Sequence, residues 1–233
     1  MLSKKKIVVL TGSGISVESG LSTFRDAGGL WEGNDINEVA SIEGWYKNPE
    51  KVLDFYNLRR EQAAKAKPNE AHYALSFLEE QYDVVIITQN VDDLHERAGS
   101  SNVVHLHGEL NKARSVKNEQ IIIDLGTHSI HLGDTASDGA QLRPHIVWFG
   151  EMVPQIEVAA KEVEEANILI VIGTSLVVYP AAGLVNFAEK ATRKYIIDPS
   201  IPELSSFTGW AHIKKTACSG VPELVEKLLS TNK

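Results

Sequence analysis

Apolar residues along this chain follow two rhythms. Short unbroken runs rich in branched side chains occupy 6–11 (KIVVLT), 83–88 (DVVIIT), 103–107 (VVHLH), 168–173 (ILIVIG) and 194–198 (KYIID). Such runs are the mark of parallel strands covered on both faces. Between them, helical patterns cover 49–65, 70–81, 155–166, 181–192 and 221–230, with Pro222 placed for the first turn of the last helix. Strand alternating with helix predicts an α/β fold with a doubly wound parallel sheet, whose ligands gather at the carboxyl ends of the strands. Two stretches interrupt the rhythm. Residues 26–67 delay the second strand beyond a normal crossover, and 111–142 mix ribbon-like pieces with turn formers. Both are expected to be insertions forming a small lobe on a single domain, 1–233.

Composition narrows the function classes. With 233 residues, 43% of them apolar, the chain can build one core with a small appended lobe. No apolar run approaches 18 residues, so no membrane span is expected. The start, MLSKKKIVVLTG, has an apolar run too short for a secretory signal and no small-residue cleavage site after it, so it is expected to be the first strand of a cytoplasmic protein. A net charge of −8 argues against nucleic acid as the main partner. The single cysteine, Cys218, rules out an internal disulfide framework.

The chemically distinctive residues sit where the strands end. Gly12-Ser13-Gly14-Ile15 follows the first strand and can cradle phosphate through backbone N–H groups with a helix dipole behind them, or be a plain tight turn. The spacing of Gly12, Gly14 and Gly20 is not the common dinucleotide fingerprint, since Val17 stands where a third glycine belongs. Phe24-Arg25-Asp26 before Gly28-Gly29 suggests a loop carrying a cation and an aromatic, or a solvated surface loop. Gln89, Asn90 and Asp92 follow the second strand and suit ribose or carboxamide binding, although Asn and Asp also cap helices. His105 and His107 fall on one face by strand periodicity, with His107 placed before Gly108 as a general base; a satisfied core histidine is the alternative for either. Gly173-Thr174-Ser175 resembles a nucleotide loop or a helix cap, and LRPHIVWFGEMVP an acyl or peptide groove or plain core. His128 and His131, with Asp124 and Asp134 nearby, make a weak metal pattern, because an i, i+3 pair in a straight strand points to opposite faces.

In their order, TGSGISVESGLSTFRDAGGLW, TQNVDDLHERAG, HLHG, LRPHIVWFGE, IGTSLVVYPAAG and GVPEL resemble the sirtuins, NAD-dependent protein-lysine deacylases, over nearly the whole chain. The resemblance implies a large Rossmann-like domain with a small lobe, and NAD and acyl-lysine protein substrates meeting in the cleft between them. It implies His107 as the base. It implies NAD contacts from Gly12, Ser13, Gly14, Ile15, Phe24, Arg25, Trp31, Gln89, Asn90, Asp92, Gly173, Thr174, Ser175, Asp198 and Cys218. Val147, Phe149 and Gly150 would line the acyl-lysine groove.

This chain departs from the family in three places. Ser13 replaces the usual alanine, and Asp198 replaces an asparagine near the adenosine ribose. The third departure is larger. The two C-x-x-C pairs that bind structural zinc in most members align with Ser115, Asn118, Thr135 and Asp138, so a four-thiolate site is impossible and no metal is expected. Ile121, Ile123, Ile130 and Leu132 would hold the lobe by packing instead. The family's subgroup acting on acidic acyl groups carries Tyr-x-x-Arg on a helix. Tyr56 and Arg59 match it, at i and i+3 on one face, and Ala40 matches a small residue that leaves room for a longer acyl chain. Arginine suits a carboxylate because its guanidinium offers a two-pronged donor. The expectation is a desuccinylase or demalonylase with weaker deacetylase activity that yields nicotinamide and O-acyl-ADP-ribose. A protein ADP-ribosyltransferase and a non-catalytic NAD sensor are the rival readings.

Overall fold

The computed structural model describes residues 4–23, 30–31, 33–200 and 208–231. The chain opens with β1 (Lys6–Thr11), two single 3-10 turns (Ser13–Ile15 and Val17–Ser19), β2 (Leu30–Trp31) and β3 (Asn34–Asp35). Helices α1 (Ile36–Val39), α2 (Ile42–Lys47), α3 (Pro49–Lys65) and α4 (Glu70–Leu78) follow, then β4 (Asp83–Thr88), α5 (Leu94–Arg97) and β5 (Val103–His105). Next come β6 (Gly108–Ser115), β7 (Ile122–Asp124), β8 (Leu142–Ile146), α6 (Ile156–Glu164) and β9 (Ile168–Ile172). A 3-10 segment (Ala181–Phe187), β10 (Arg193–Ile197), β11 (Ala211–Ile213) and α7 (Ala217–Ser230) complete the chain.

Six strands form one parallel sheet in the order β11-β10-β9-β1-β4-β5. Its central strands are apolar at every position because both faces are covered. Ile7, Val9, Ile86 and Ile170 pack on Leu75 and Leu78 of α4 and Leu224 and Leu228 of α7. Val8, Leu10, Val85 and Val171 pack on Val163 of α6 and Leu184. From β1 the chain runs outward to β4 and β5 on one side and returns to β9 on the other. The order therefore reverses between β1 and β9, and the crevice beyond their carboxyl ends is where a doubly wound sheet binds its ligand.

A second, antiparallel sheet of order β7-β6-β8 has its own core. Val52, Leu53, Phe55 and Tyr56 of α3 meet Leu110, Ala113, Ile130, Leu142 and Trp148 there, with Ile121 and Ile123 packed at the edge. Leu132, expected in this packing, is 51% exposed and contributes nothing to it. At the zinc-cysteine positions hydrogen bonds stand instead. The Ser115 hydroxyl donates to Asp138 Oδ2 at 2.7 Å and accepts from the Lys117 and Asn118 N–H groups at 3.0 and 3.2 Å. Thr135 pairs with Gln141 in an isolated antiparallel bridge. Among the described residues no three His, Cys, Asp or Glu side chains come together as a metal site. His128 and His131 are exposed, and His128 Nδ1 bonds the Leu125 carbonyl at 2.8 Å.

Several expected elements shift. The helical pattern over 181–192 yields only the 3-10 segment Ala181–Phe187, with Gly183 inside it, a residue about 1 kcal/mol less favourable than alanine in a helix interior. The last helix begins at Ala217, so Pro222 lies inside it rather than in its first turn. Its start is set from outside, because Glu18 accepts from the Cys218 N–H at 2.9 Å and from the Thr216 hydroxyl at 3.1 Å. No helix among the described residues is long and apolar enough to cross a membrane.

Candidate active site

The first glycine turn and the loop after β9 are built against each other. Gly14 N–H donates to the Gly173 carbonyl at 2.9 Å, and a Cβ on Gly14 would lie 2.6 Å from Gly173 Cα. Only glycine at both places lets these backbones meet. The turn differs from expectation in one respect. Two 3-10 turns replace the short helix, so no α-helical dipole stands behind it. The N–H groups of Gly12, Gly14, Ile15 and Ser16 are already bonded to carbonyls of the two loops and β9. Among the described residues, Ser13 alone in that stretch has an N–H without an acceptor.

A cavity of about 630 Å³ opens over these loops. Gly12, Ser13, Gly14, Gln89, Asn90, Asp92, Gly173, Thr174, Ser175 and Asp198 line one side, and His107 stands with them. Trp31, Ala40, Tyr56, Arg59, Val147, Phe149 and Gly150 line the other. Ile15 is buried beneath the turn, outside the lining. Cys218 also lies outside it, behind Thr216 and Ala217, and burial together with the Glu18 carboxylate pushes its thiol up to about 11. Phe24 and Arg25 lie outside the described residues.

Side chains on the sheet side hold one another. Gln89 Nε2 donates to Thr174 Oγ1 at 3.0 Å, and Asn90 Nδ2 donates to the Gly12 carbonyl and Ser16 Oγ, both at 3.2 Å. Asp92 accepts from Ser16 Oγ at 3.1 Å and from the Leu94 N–H at 3.2 Å. Burial raises its carboxyl above the ordinary value despite those two donors. Under the turn, Thr11 Oγ1 contacts His95 Nε2 at 3.1 Å, and the His95 ring packs on His72 at 4.9 Å between centroids.

The two histidines of HLHG, expected on one strand face, part company. β5 stops at His105, and His107 lies in the turn before β6. Gly108 makes that turn with φ +82° and passes so close to the His145 carbonyl that no side chain would fit. His105 Nδ1 meets the Asn90 carbonyl at 3.2 Å and Nε2 meets the Glu96 carboxylate at 2.7 Å. Burial alone would lower its pKa, but Glu96 outweighs it and raises it. With acceptors at both nitrogens, His105 is suited to the imidazolium form and cannot serve as a base. His107 Nδ1 meets the Gln89 carbonyl at 3.0 Å. A carbonyl only accepts, so Nδ1 carries the proton and Nε2 keeps its lone pair. Burial lowers the His107 pKa, against the opposing Gln89 bond, so the ring is neutral at neutral pH and ready to take a proton.

On the far side, Tyr56 and Arg59 project from one face of α3. The Arg59 guanidinium stands 5.1 Å over the Trp31 ring and bonds Gln62 Oε1 at 3.2 Å. Arg59 is the one cationic residue among the described lining. Burial raises the Tyr56 phenol, which stays protonated. Trp148, Glu151, Glu18 and Thr216 also line the cavity, although sequence reasoning did not select them. For Glu151 a signal existed: Arg143 and Glu151 border the same apolar stretch with opposite charges, and the two pair across it.

A neutral histidine at the switch point of a doubly wound sheet, in one cavity with a buried arginine, defines a class: α/β proteins whose cavity lies beyond the carboxyl ends of the strands, where such sheets bind nucleotides. The Sir2 family model matches residues 12–180. A protein from Helicobacter pylori strain J99, named NAD-dependent protein deacylase, is 54% identical over 97% of this chain and 96% of its own length. One of the same name from Bacteroides thetaiotaomicron is 50% identical over 97% and 98%. A Sir2 homologue solved as its NAD complex superposes with a TM-score of 0.88 at 38% identity, covering 99% of this chain and 91% of that one. A Sir2 protein bound to acetylated peptide gives 0.78 at 29% identity, over 98% and 94%. The chain belongs to the Sir2 family.

Proposed function

We propose that this Sir2-family NAD-dependent protein deacylase removes acidic acyl groups, succinyl or malonyl, from lysine side chains in preference to acetyl. One observation carries the preference: Tyr56 and Arg59 share a cavity with His107, and Arg59 is its one described cation. A carboxylate at the end of the acyl chain would meet a guanidinium and a protonated phenol, both buried, where charge-assisted bonds are strong. Ala40 adds no bulk on that side.

The residues present fit NAD. The glycine loops give close backbone approach, and Gln89, Asn90, Asp92, Ser175 and Asp198 give polar groups along the cavity. NAD, when bound, would supply a ribose carbon that can exchange its bond to nicotinamide for a bond to the acyl carbonyl oxygen. His107 holds its Nε2 lone pair free to take a proton from a ribose hydroxyl. Gln89, through its carbonyl, fixes which nitrogen does so. Asn90 and Asp92, tied to the turn through Ser16, are rigid enough to orient a ribose and a carboxamide. Arg59 and Tyr56 grip the far end of the acyl chain and thereby set its carbonyl.

The test compares acetyl-, succinyl- and malonyl-lysine peptides with NAD, for the natural chain and for Arg59→Met. A bond to a charged group is worth ~1.5–3 kcal/mol, so desuccinylation efficiency should fall at least about tenfold in the variant. The succinyl-to-acetyl ratio should fall with it. An equal loss on both peptides would make Arg59 structural and end the claim of acidic preference.

A further inference from the structure

Tyr56 has one hydroxyl proton and an oxygen able to accept. The structure shows who uses the oxygen. Trp148 Nε1 donates to it at 3.0 Å, and the two residues are 2% and 1% exposed. Among the described residues none accepts the hydroxyl proton. An indole N–H cannot accept. The Tyr56 proton must therefore point away from Trp148, and the cavity is the place left for it. A phenol in water turns freely between donor and acceptor roles; this one is fixed as a donor.

Trp148 is itself held on all sides. Its ring lies 3.4 Å under the Arg143 guanidinium carbon and 5.4 Å from Trp45. Its backbone N–H donates to Glu151 Oε2 at 2.8 Å. Arg143 grips the same carboxylate with both arms, at 2.6 and 2.9 Å, and donates to the Ile146 carbonyl at 3.0 Å. Buried arginine and indole and half-buried glutamate thus form a frame that aims one N–H at the Tyr56 oxygen.

We infer that Trp148 is a positioning residue for acyl selectivity, which locks the Tyr56 hydroxyl as a donor toward the distal carboxylate of an acidic acyl group. The inference rests on the acyl preference proposed above. Acetyl has no acceptor there, so the lock helps only acidic chains. It also supplies what Arg59 cannot: a neutral donor of fixed direction beside a charged one, satisfying the second carboxylate oxygen.

The experiment is a double-mutant cycle read as the succinyl-to-acetyl ratio of kcat/KM. Trp148→Phe should lower that ratio about threefold to tenfold, the worth of one oriented hydrogen bond. In a Tyr56→Phe background the same change should leave the ratio where it is, because the hydroxyl it orients is gone. The loss should appear in KM for the succinyl peptide more than in kcat. Replacing Trp148 with 3-benzothienylalanine, which keeps the ring shape and removes only the N–H, should reproduce the result if the phenylalanine variant folds poorly. Equal losses in both backgrounds would mean that Trp148 acts by packing, and the inference would be overturned. It would be overturned too by an unchanged ratio in either Trp148 variant while Arg59→Met still lowers it, with the acidic preference intact. If Arg59→Met also leaves the ratio unchanged, the preference itself fails.

Discussion

The two sides of the cavity are made of different material. The sheet side is backbone, with two glycine turns locked into each other and short polar side chains bonded to them. The α3 side is made of large side chains, Trp31, Tyr56, Arg59 and Trp148, whose positions depend on one another. Backbone geometry serves any acyl substrate alike, whereas side chains can be exchanged without disturbing a turn. On the function proposed above, chemistry falls to the first side and choice of acyl group to the second.

The sharpest way to break that division is at His107. His107→Ala should lower deacylation about 10²–10⁴-fold, the usual worth of a general base. It should do so by the same factor for succinyl and acetyl peptides, while NAD still protects the protein against heat. A loss confined to one acyl group would put His107 on the selective side and dissolve the distinction. The pH profile adds a second reading. Burial lowers the His107 pKa, so activity should hold to a more acid pH than an ordinary imidazole allows, then fall as the ring is protonated.

Acid should also undermine the two sides in turn. His72 is pushed down to about 4 by burial, and His95 well below its ordinary value. Both rings are neutral when folded and free to take a proton when unfolded, so stability is lost as pH drops from about 6.5 toward the folded values. For His72 this is on the order of 2 kcal/mol by pH 5. On the other side, Arg143 outweighs burial and holds the Glu151 carboxyl below its ordinary value, so that contribution is intact at pH 5 and is lost only as pH falls through the ordinary 4.5 toward the folded value. Denaturant midpoints between pH 7 and 5 should therefore fall, and His72→Gln with His95→Gln should flatten the curve. A curve that stays steep in the double variant would place the acid sensitivity elsewhere.

How far the sequence reached differs between the same two regions. The strands were legible because residues buried on both faces leave unbroken branched runs, and β1, β4 and β9 fall where those runs are. The glycine and polar residues at their ends were legible for the same reason: the sheet puts them together. His105 and His107 were not separable, since period-2 reasoning assumes a strand that continues, and β5 stops at His105. Trp148 was illegible because an indole in an apolar run reads as core; its second task depends on a Tyr56 oxygen 92 positions away. Glu18 likewise caps a helix 200 residues farther along, a contact without local trace.

The smallest expected effect concerns what replaces metal beneath the selective side. Ser115 is fully buried, donates to Asp138 and accepts two backbone N–H groups, so one hydroxyl ties together the two loops that cysteines and zinc would otherwise join. Ser115→Ala leaves those N–H groups without their acceptor and should lower the melting temperature by about 2–4 °C, the shift that one modest hydrogen bond produces in a chain of this size. Because the tie is a hydrogen bond, a chelator should leave the melting temperature of the natural chain unchanged, and the purified protein should carry no stoichiometric zinc. The succinyl-to-acetyl ratio should stay within twofold in Ser115→Ala, roughly the scatter expected for a distant, independent site. A chelator-induced fall in melting temperature, or one zinc per chain, would show that the sheet carrying the selective side is held by metal after all, and would point to His128 and His131 as its ligands.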